Sequence, residues 1–346
     1  MNPYIMSLLL SSLSLGTIIT LSSNHWFLAW VGLELNTLAI IPLMSEMHHP
    51  RATEAATKYF LTQSMASALL LFATTLNAWY TGEWTITNMQ TSAPVIMLTI
   101  ALMIKLAVAP FHLWLPDVIQ GQSLMTCLIM LTWQKLAPLA LLIQISPEVN
   151  SMLITFMGTI SLLVGGWGGL NQPHMRKIMA FSSIAHLGWM IIVVPYLPSL
   201  TQLNLLVYLL MTSSLFLTMM ALQTTTMNKM ASSWMKNFPL FSTTTIILMS
   251  LGGLPPMSGF LPKWMILEEL IKQNMTPLAV LAIALTLLTL FFYLRLSYVT
   301  SLTTSPSPLN SKLMWRPKLN LNPTTPPLII TSIMLLPISP SIINLM

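Results

Sequence analysis

Four ionisable side chains lie within long apolar stretches of this sequence. Glu34 stands in "WVGLELNTLAI", Lys105 in "LTIALMIKLAVAP", Lys135 in "LTWQKLAPL" and Lys263 in "FLPKWMIL". A charged group at the centre of a lipid bilayer costs about 2.5–3.5 kcal/mol on insertion scales, so a segment that only spans a membrane would carry leucine there. A carboxylate and three amines can take up and release protons. We therefore interpret the four residues as candidates for a proton relay, with static ion pairs between helices as the alternative.

Each of the three lysines has a proline within five residues along the chain: Pro110, Pro138 or Pro262. A proline lacks the backbone N–H group, so it leaves a carbonyl of the preceding turn without its helical donor. Such a carbonyl at membrane depth needs water or a side chain as its partner. The spacing therefore predicts that the lysines lie where helices are interrupted and partly hydrated.

Glu34 and Lys105 carry opposite charges, and we hypothesise that they meet in the folded protein. Two unit charges 4 Å apart attract each other by about 4 kcal/mol at an effective dielectric constant of 20. A change in their separation, or in a neighbouring charge, can therefore change the protonation state that the lysine favours. This would make the pair a proton switch.

Two histidines can extend the relay. His112 lies between two prolines in "PFHLWLP", and His186 lies in the middle of the apolar segment "FSSIAHLGWM". The near-neutral pKa of an imidazole suits proton transfer, although a hydrogen-bonded structural histidine is an equal alternative for each. We include both as secondary relay residues.

Redox chemistry within the chain is not expected. The sequence contains no P-loop, no dinucleotide-binding fingerprint and no metal-ligand spacing. Its single cysteine, Cys127, excludes a disulfide framework or a cysteine-ligated cluster within the chain. We expect no cofactor and no metal ion in this chain.

The elements that must position these residues are membrane helices. Only 6% of the 346 residues are charged and 55% are hydrophobic, whereas soluble domains average about 25% charged residues. Apolar runs of membrane-spanning length recur from end to end, which predicts an all-α polytopic membrane protein in contact with phospholipids. The basic residues are scattered, so the net charge of +6 does not indicate a nucleic-acid partner. We predict eleven spans, near residues 3–21, 25–44, 57–80, 94–119, 124–145, 149–169, 174–194, 200–222, 240–271, 276–298 and 326–345.

Loop charges give this arrangement an orientation. Ten of the fourteen lysines and arginines fall on the side of the N-terminus, three fall inside spans, and only Lys272 falls on the opposite side. Loops on the cytosolic or matrix side of a membrane carry such an excess of positive charge. We therefore expect the N-terminus on that side and, with an odd number of spans, the C-terminus on the other.

A short internal repeat marks the fourth and ninth predicted spans. "PFHLWLPD" begins at Pro110 and "PMSGFLPK" begins at Pro256, and both read proline, three residues, an aromatic residue, leucine, proline and a charge. The two spans would run in opposite directions. Paired broken helices of this kind are typical of inverted-repeat transporters, although two proline-rich kinks can also be similar by chance.

The segments "HHPRATEAATKYFLTQS", "IKLAVAPFHLWLPDVIQG", "RKIMAFSSIAHLGWM" and "GGLPPMSGFLPKW" closely resemble the antiporter-like membrane subunits of respiratory complex I. The resemblance covers nearly the whole chain, and the family is related to cation/proton antiporter subunits. It implies two inverted five-helix repeats, residues 1–146 and 147–300, with broken helices 4 and 9. A polar loop and a closing helix would follow at 301–346. By the same resemblance, we expect no counterpart here of three N-terminal helices of the larger members.

The same resemblance implies roles for the candidate residues. Glu34 matches the family's acid on the helix before the first break, and Lys105 matches the lysine of the first broken helix. Lys135 matches the connecting lysine, and Lys263 matches the ionisable residue of the second broken helix. His112 and His186 fall on the central hydrophilic axis of the family.

The function that the resemblance implies is proton translocation across the mitochondrial inner membrane, coupled to electron transfer from NADH to ubiquinone. NADH, FMN, iron–sulfur clusters and ubiquinone would belong to partner chains. The partners would be other membrane-arm subunits of complex I, including neighbouring antiporter-like chains. The N-terminus would face the matrix and the C-terminus the intermembrane space. A stand-alone cation/proton antiporter and a non-pumping scaffold subunit are the alternatives.

Overall fold

A computed structural model describes residues 3–45, 49–89, 91–302 and 323–345. Apart from two isolated β-bridges, His25 with Thr85 and His174 with Thr226, the regular structure of these residues is helical. The first helices are α1 Pro3–Ser22, α2 Trp26–Met44, α3 Pro50–Thr81, α4 Ser92–Leu106, α5 Trp114–Gly121, α6 Leu124–Leu131 and α7 Trp133–Ile145. They are followed by α8 Ser151–Gly169, α9 Met175–Val193, α10 Pro198–Leu222, α11 Met227–Ala231, a 3₁₀ turn at Ser233–Met235, α12 Phe238–Gly252, α13 Phe260–Lys272 and α14 Thr276–Ser301. Thr325–Ile333 and Leu335–Leu345 complete the described chain.

The predicted all-α polytopic membrane fold is confirmed. Among the described residues, eight helical segments have the length and apolar composition to cross a membrane, and α4 and α12 are shorter apolar helices. The exact count of eleven spans is not confirmed, because only eight segments of the described residues have this length and composition. The fourth and ninth predicted spans are each divided into two helices, as the prediction of broken helices requires. The last predicted span is also divided, at Met334. Most of the predicted polar loop, residues 303–322, lies outside the described residues.

The chain forms two compact units, Met1–Ser161 and Leu162–Met346, with the boundary inside α8. In the first unit α3 packs on α2, α4 and α5, while α7 packs on α1, α2 and α4. Close packing of α1 on α2 depends on Gly16 and Gly32, since a Cβ on Gly32 would lie 2.8 Å from the Gly16 carbonyl oxygen. The repeat boundaries at residues 146 and 300 stay predictions.

In the second unit α10 packs on α9, α12, α13 and the helix Thr325–Ile333, while α14 packs on α12 and α13. A core cluster of Leu162, Trp189, Ile266 and Ala282 joins helices of this unit. Gly165 of α8 allows a close approach to α9, because a Cβ there would lie 2.7 Å from the backbone nitrogen of Ala185.

Both predicted helix breaks are present. The first begins at Ala107, ahead of Pro110, because Ala107 adopts a left-handed conformation with a φ of 60° and ends α4. The second begins at Gly253, where a φ of 82° ends α12. Glycine adopts this conformation without steric cost, which explains the position of the second break.

The fifth predicted span is also interrupted, but at Thr132, which separates α6 from α7. Pro138 lies inside α7 and does not end it. The interruption places Lys135 in the first turn of a new helix. The helix near Lys135 is therefore interrupted as the sequence suggested, but the interruption lies at Thr132 and not at Pro138.

Candidate functional site

All three lysines that were selected from the sequence are buried, and each lies at the end of a helix that a break creates. Lys105, Lys135 and Lys263 are 7%, 3% and 9% exposed. Lys105 lies in the last turn of α4, Lys135 in the first turn of α7, and Lys263 in the first turn of α13. The helix breaks therefore position these side chains, and for Lys105 and Lys263 the nearby prolines indicated this.

The first unit brings Lys105 and Lys135 to one buried cavity. Its polar wall is completed by Asn36, Gln63 and Gln134. The other lining residues are Leu33, Thr37, Tyr59, Leu106, Trp114, Leu115, Met130 and Pro138. The cavity has room for about one water molecule, and its lining offers both donors and acceptors. Two basic groups that share such a cavity can exchange a proton.

Glu34 lies beside this cavity on α2, half-buried, and two hydroxyl groups hold its carboxylate. Thr37 donates from Oγ1 to Oε2 at 3.1 Å, and Ser67 of α3 donates from Oγ to Oε1 at 3.3 Å. Thr37 also lines the cavity, so it connects the carboxylate with the space between the lysines.

Glu34 does not form a salt bridge with Lys105. Within the part of the chain that the structure describes, the ion pairs of 4.0 Å or less join exposed side chains: Lys58 with Glu54 and Asp117, and Lys272 with Glu268. The hypothesis that Glu34 and Lys105 form a direct ion pair is therefore wrong, and the carboxylate instead contacts hydroxyl groups.

In the second unit, Lys263 and His186 lie together. Lys263 donates from Nζ to the carbonyl oxygen of Gly252 at 2.9 Å, across the break between α12 and α13. His186 and Lys263 line the same small cavity with Tyr293, and the His186 and Tyr208 ring centroids are 5.4 Å apart. A histidine, a lysine and two phenols thus form a second cluster of groups that can carry protons.

His112 is placed differently from the other candidates. It lies in the break between α4 and α5, where its Nδ1 is 3.2 Å from the carbonyl oxygen of Pro110. Of the described residues, those that line the cavity of Lys105 and Lys135 do not include it. Its relay role stays a prediction that this geometry does not support.

The sequence analysis missed several polar residues that line or adjoin the two sites. In α3 Tyr59, Gln63 and Ser67 recur every four residues, and α10 has the same spacing at Asn204, Tyr208 and Thr212. Residues four apart on a helix share one face, and all six are buried. A polar stripe along an apolar helix was therefore the signal that could have identified them.

The chain matches two protein-family models. Residues 23–289 match the family described as "NADH:quinone oxidoreductase/Mrp antiporter, TM". Residues 290–343 match "NADH dehydrogenase subunit 2 C-terminus". Together the two matches extend over both units and include all the candidate residues.

Curated relatives resemble the chain over its full length. "NADH-ubiquinone oxidoreductase chain 2" of Salmo salar is 54% identical, with 100% of this chain and 99% of the relative aligned. The protein of the same name from Gadus morhua is 55% identical with the same coverage.

Solved structures show the same fold. A chain of respiratory complex I from Thermus thermophilus with bound aureothin is 26% identical, with a TM-score of 0.85 over 97% of this chain and 78% of that chain. A chain of the Mrp complex from Dietzia sp. DQ12-45-1b is 21% identical, with a TM-score of 0.79 over 92% of this chain and 64% of that chain. The chain therefore belongs to the NADH:quinone oxidoreductase and Mrp antiporter family of membrane subunits, among the proteins named NADH-ubiquinone oxidoreductase chain 2.

Proposed function

We propose that this chain is a core membrane subunit of respiratory complex I in the mitochondrial inner membrane and that it translocates protons. The full-length relatives named NADH-ubiquinone oxidoreductase chain 2 support the assignment to the complex. The membrane-spanning helices support a role in crossing the bilayer. Oxidation of NADH and reduction of ubiquinone take place in partner chains, and this chain contributes the ion movement that is coupled to them.

The observation that carries the proposal is the shared cavity of Lys105 and Lys135 beside the held carboxylate of Glu34. Burial of two lysines in one small space disfavours two simultaneous positive charges, because like charges at short range in a medium of low dielectric constant repel strongly. One ammonium and one neutral amine are the stable combination. The proton can therefore occupy either lysine.

Proton transfer follows from that arrangement. The Lys105 ammonium releases a proton into the cavity, and the neutral Lys135 amine accepts one from it, so the positive charge moves from α4 to α7. Glu34 sets the direction, because its negative charge stabilises the ammonium form of Lys105. A conformational or electrostatic signal from the redox chains that reaches Glu34 would weaken this stabilisation and release the proton.

Lys263 and His186 serve the second unit in this proposal. Lys263 can donate to the Gly252 carbonyl with or without its extra proton, so its position is retained as its charge changes. His186 lines the same cavity, and its imidazole ring has nitrogens that can accept and donate a proton. The pair would pass a proton toward the exit or couple the unit to a neighbouring subunit.

The energy scale is adequate for such a switch. Moving one elementary charge against a membrane potential takes about 2.3 kcal/mol per 100 mV. A unit charge 4 Å away contributes about 4 kcal/mol at an effective dielectric constant of 20. Glu34 and Lys105 are more than 4.0 Å apart, so their interaction is smaller than this value and a movement that brings them together would strengthen it.

The remaining features of the assignment are proposed on the same basis. Other membrane-arm subunits, including antiporter-like chains, would be the partners, with phospholipids around the apolar helices and no nucleic acid. NADH, FMN, iron–sulfur clusters and ubiquinone would be held by partner chains. The positive charge of the loops favours a matrix location for the N-terminus and an intermembrane-space location for the C-terminus.

Substitution of the relay lysines in the assembled complex tests the proposal. Lys105→Met and Lys135→Met should each lower coupled ubiquinone reduction while leaving NADH oxidation by a hydrophilic electron acceptor unchanged. Lys58→Met is the matched control, because Lys58 is an exposed lysine on α3 outside the cavity. Normal coupled turnover in both relay variants would contradict the proposal and favour a scaffold role.

A further inference from the structure

Each unit carries a buried amide side chain with a nitrogen that donates no hydrogen bond to the described residues. Gln63 on α3 is 4% exposed and Asn204 on α10 is 3% exposed. Their Nε2 and Nδ2 atoms are both buried without an acceptor in the part of the chain that the structure describes. A buried polar group of this kind destabilises the fold unless another partner satisfies it, so its presence requires an explanation.

Gln63 lies in the cavity of the two relay lysines. Two other atoms of that cavity's lining, Lys105 Nζ and Asn36 Oδ1, also lack hydrogen-bond partners among the described residues. The cavity therefore presents two donors and one acceptor to a space the size of one water molecule. A single water can accept from Gln63 and Lys105 and donate to Asn36, which satisfies all three atoms.

Asn204 has a corresponding place in the second unit. It lines a small cavity together with Lys263 and His186. The residue four positions later on the same helix, Tyr208, contacts the His186 ring. In the first unit the residue four positions after Gln63 is Ser67, which hydrogen-bonds Glu34.

The two units therefore share one arrangement. A helix face presents an amide beside a lysine and, one turn later, a hydroxyl-bearing residue beside the ionisable group of the preceding helix. The repetition in two separate units argues against an accidental burial of either amide. It associates both amides with the lysines.

We infer that Gln63 and Asn204 are positioning residues of the proton paths, and that each amide holds a water molecule against the lysine of its unit. This inference rests on the proposed proton translocation. In the first unit the water accepts a proton from the Lys105 ammonium as it donates another to the neutral Lys135 amine. The N–H bond that breaks on Lys105 is balanced by the one that forms on Lys135, and the water is unchanged. Gln63 fixes the oxygen of that water without exchanging a proton itself.

Substitution of Gln63 in the assembled complex tests the inference. Gln63→Leu should lower coupled ubiquinone reduction about fivefold, the factor expected from one lost hydrogen bond in the transition state. The ratio of rates in H₂O and D₂O should rise, because proton transfer becomes rate-limiting. Gln63→Asn, which keeps the amide, should recover part of the rate. NADH oxidation by a hydrophilic acceptor should be unchanged in both variants.

Two further variants keep the result decisive. Ser64→Ala is the control on α3, since the Ser64 hydroxyl bonds only the Leu61 carbonyl among the described residues and lies outside the cavity. Gln63→Met replaces the amide with an apolar chain of similar length and decides the question if the leucine variant does not assemble. Asn204→Leu should give the same pattern in the second unit.

The outcomes separate this inference from the proposed function. If Gln63→Met left coupled turnover and the isotope ratio unchanged while Lys105→Met lowered coupled turnover, the role of Gln63 would be overturned. The proposed function would not be affected by that result. An asparagine variant no better than the apolar ones would overturn the role of Gln63 as well. Normal coupled turnover in Lys105→Met would instead overturn the proposed function.

Discussion

Lys263 Nζ and the Gly252 carbonyl oxygen form a 2.9 Å hydrogen bond that joins the two halves of the broken helix formed by α12 and α13. In the first unit a side chain also binds a carbonyl at the break: Trp114 Nε1 donates to the Ile104 carbonyl oxygen at 3.2 Å. Both contacts reach a carbonyl at the helix end that a break creates, although the Ile104 carbonyl also accepts from the backbone N–H of Ala107 at 3.1 Å. In the second unit the side chain that binds the carbonyl is Lys263, which is itself a candidate proton carrier. The backbone geometry of the break and the position of the Lys263 ammonium group therefore depend on each other.

Gly253→Ala should therefore impair the second site. Gly253 has a φ of 82°, and a Cβ there would lie 2.7 Å from Lys263 Nζ. We expect a loss of about 1 kcal/mol or more in stability from the backbone conformation, together with displacement of the lysine and lower coupled ubiquinone reduction. Turnover with ubiquinone and thermal stability of the complex are the measurements.

Gly82→Ala provides the matched control for this prediction. Gly82 ends α3 with a φ of 75°, but an added Cβ at that position would have no neighbouring atom within 4 Å. The alanine should show the backbone effect on stability without the effect on turnover. Equal turnover in the two variants would show that the Lys263 position is not important for coupling.

Ser67→Ala should weaken the control of Glu34 over the first site. The substitution removes the hydrogen bond to Oε1, while Thr37 still donates to Oε2. The Ser67 hydroxyl also lies 2.9 Å from the Ser64 carbonyl oxygen, so its bond to the carboxylate contributes less than the about 1.5–3 kcal/mol of a full bond to a charged group. We therefore expect a severalfold decrease in coupled turnover. Glu34→Gln, which removes the charge and keeps the shape, should give a larger decrease. If Ser67→Ala proved more damaging than Glu34→Gln, the hydroxyl would have a role beyond holding the carboxylate.

Gly165→Ala should disturb the packing of α8 on α9. The added methyl group would lie 2.7 Å from the backbone nitrogen and 2.8 Å from the Cβ of Ala185, and neither atom belongs to a flexible side chain. Overpacking of this kind costs about 1–3 kcal/mol. Gly252→Ala is the comparison, because its nearest contact would be an ordinary 3.7 Å from Tyr293. Thermal unfolding of the purified complex should show a lower midpoint for Gly165→Ala than for Gly252→Ala, and the reverse order would contradict the packing described.

The membrane helices and the burial of the three lysines could be predicted from the sequence because their signals are strong. A lysine in an apolar run is rare, and the proline near Lys105 or Lys263 indicated that the surrounding helix was interrupted. The position of each break was harder to predict. The first depends on a left-handed alanine, Ala107, a residue that seldom adopts this conformation, and on the tertiary hydrogen bond from Trp114.

The neutral members of the two sites were not predicted. Gln63 and Asn204 are uncharged, so a search for charged residues in apolar segments does not find them. Only their spacing of four residues from Ser67 and Tyr208 indicates that they belong to a polar helix face. The supposed contact of Glu34 with Lys105 also could not be judged from the sequence, because it depends on how α2 and α4 pack. The structure instead pairs Glu34 with hydroxyl groups.

The central claim is that buried lysines of this chain carry the translocated proton, and the most direct test is the number of protons pumped per electron. The measurement uses the assembled complex in sealed vesicles, with NADH as donor and ubiquinone as acceptor, and compares Lys105→Met with Lys58→Met. We predict a lower ratio of protons to electrons in Lys105→Met and an unchanged ratio in Lys58→Met. An unchanged ratio in Lys105→Met would contradict the claim, since it would show that protons cross the membrane without this lysine.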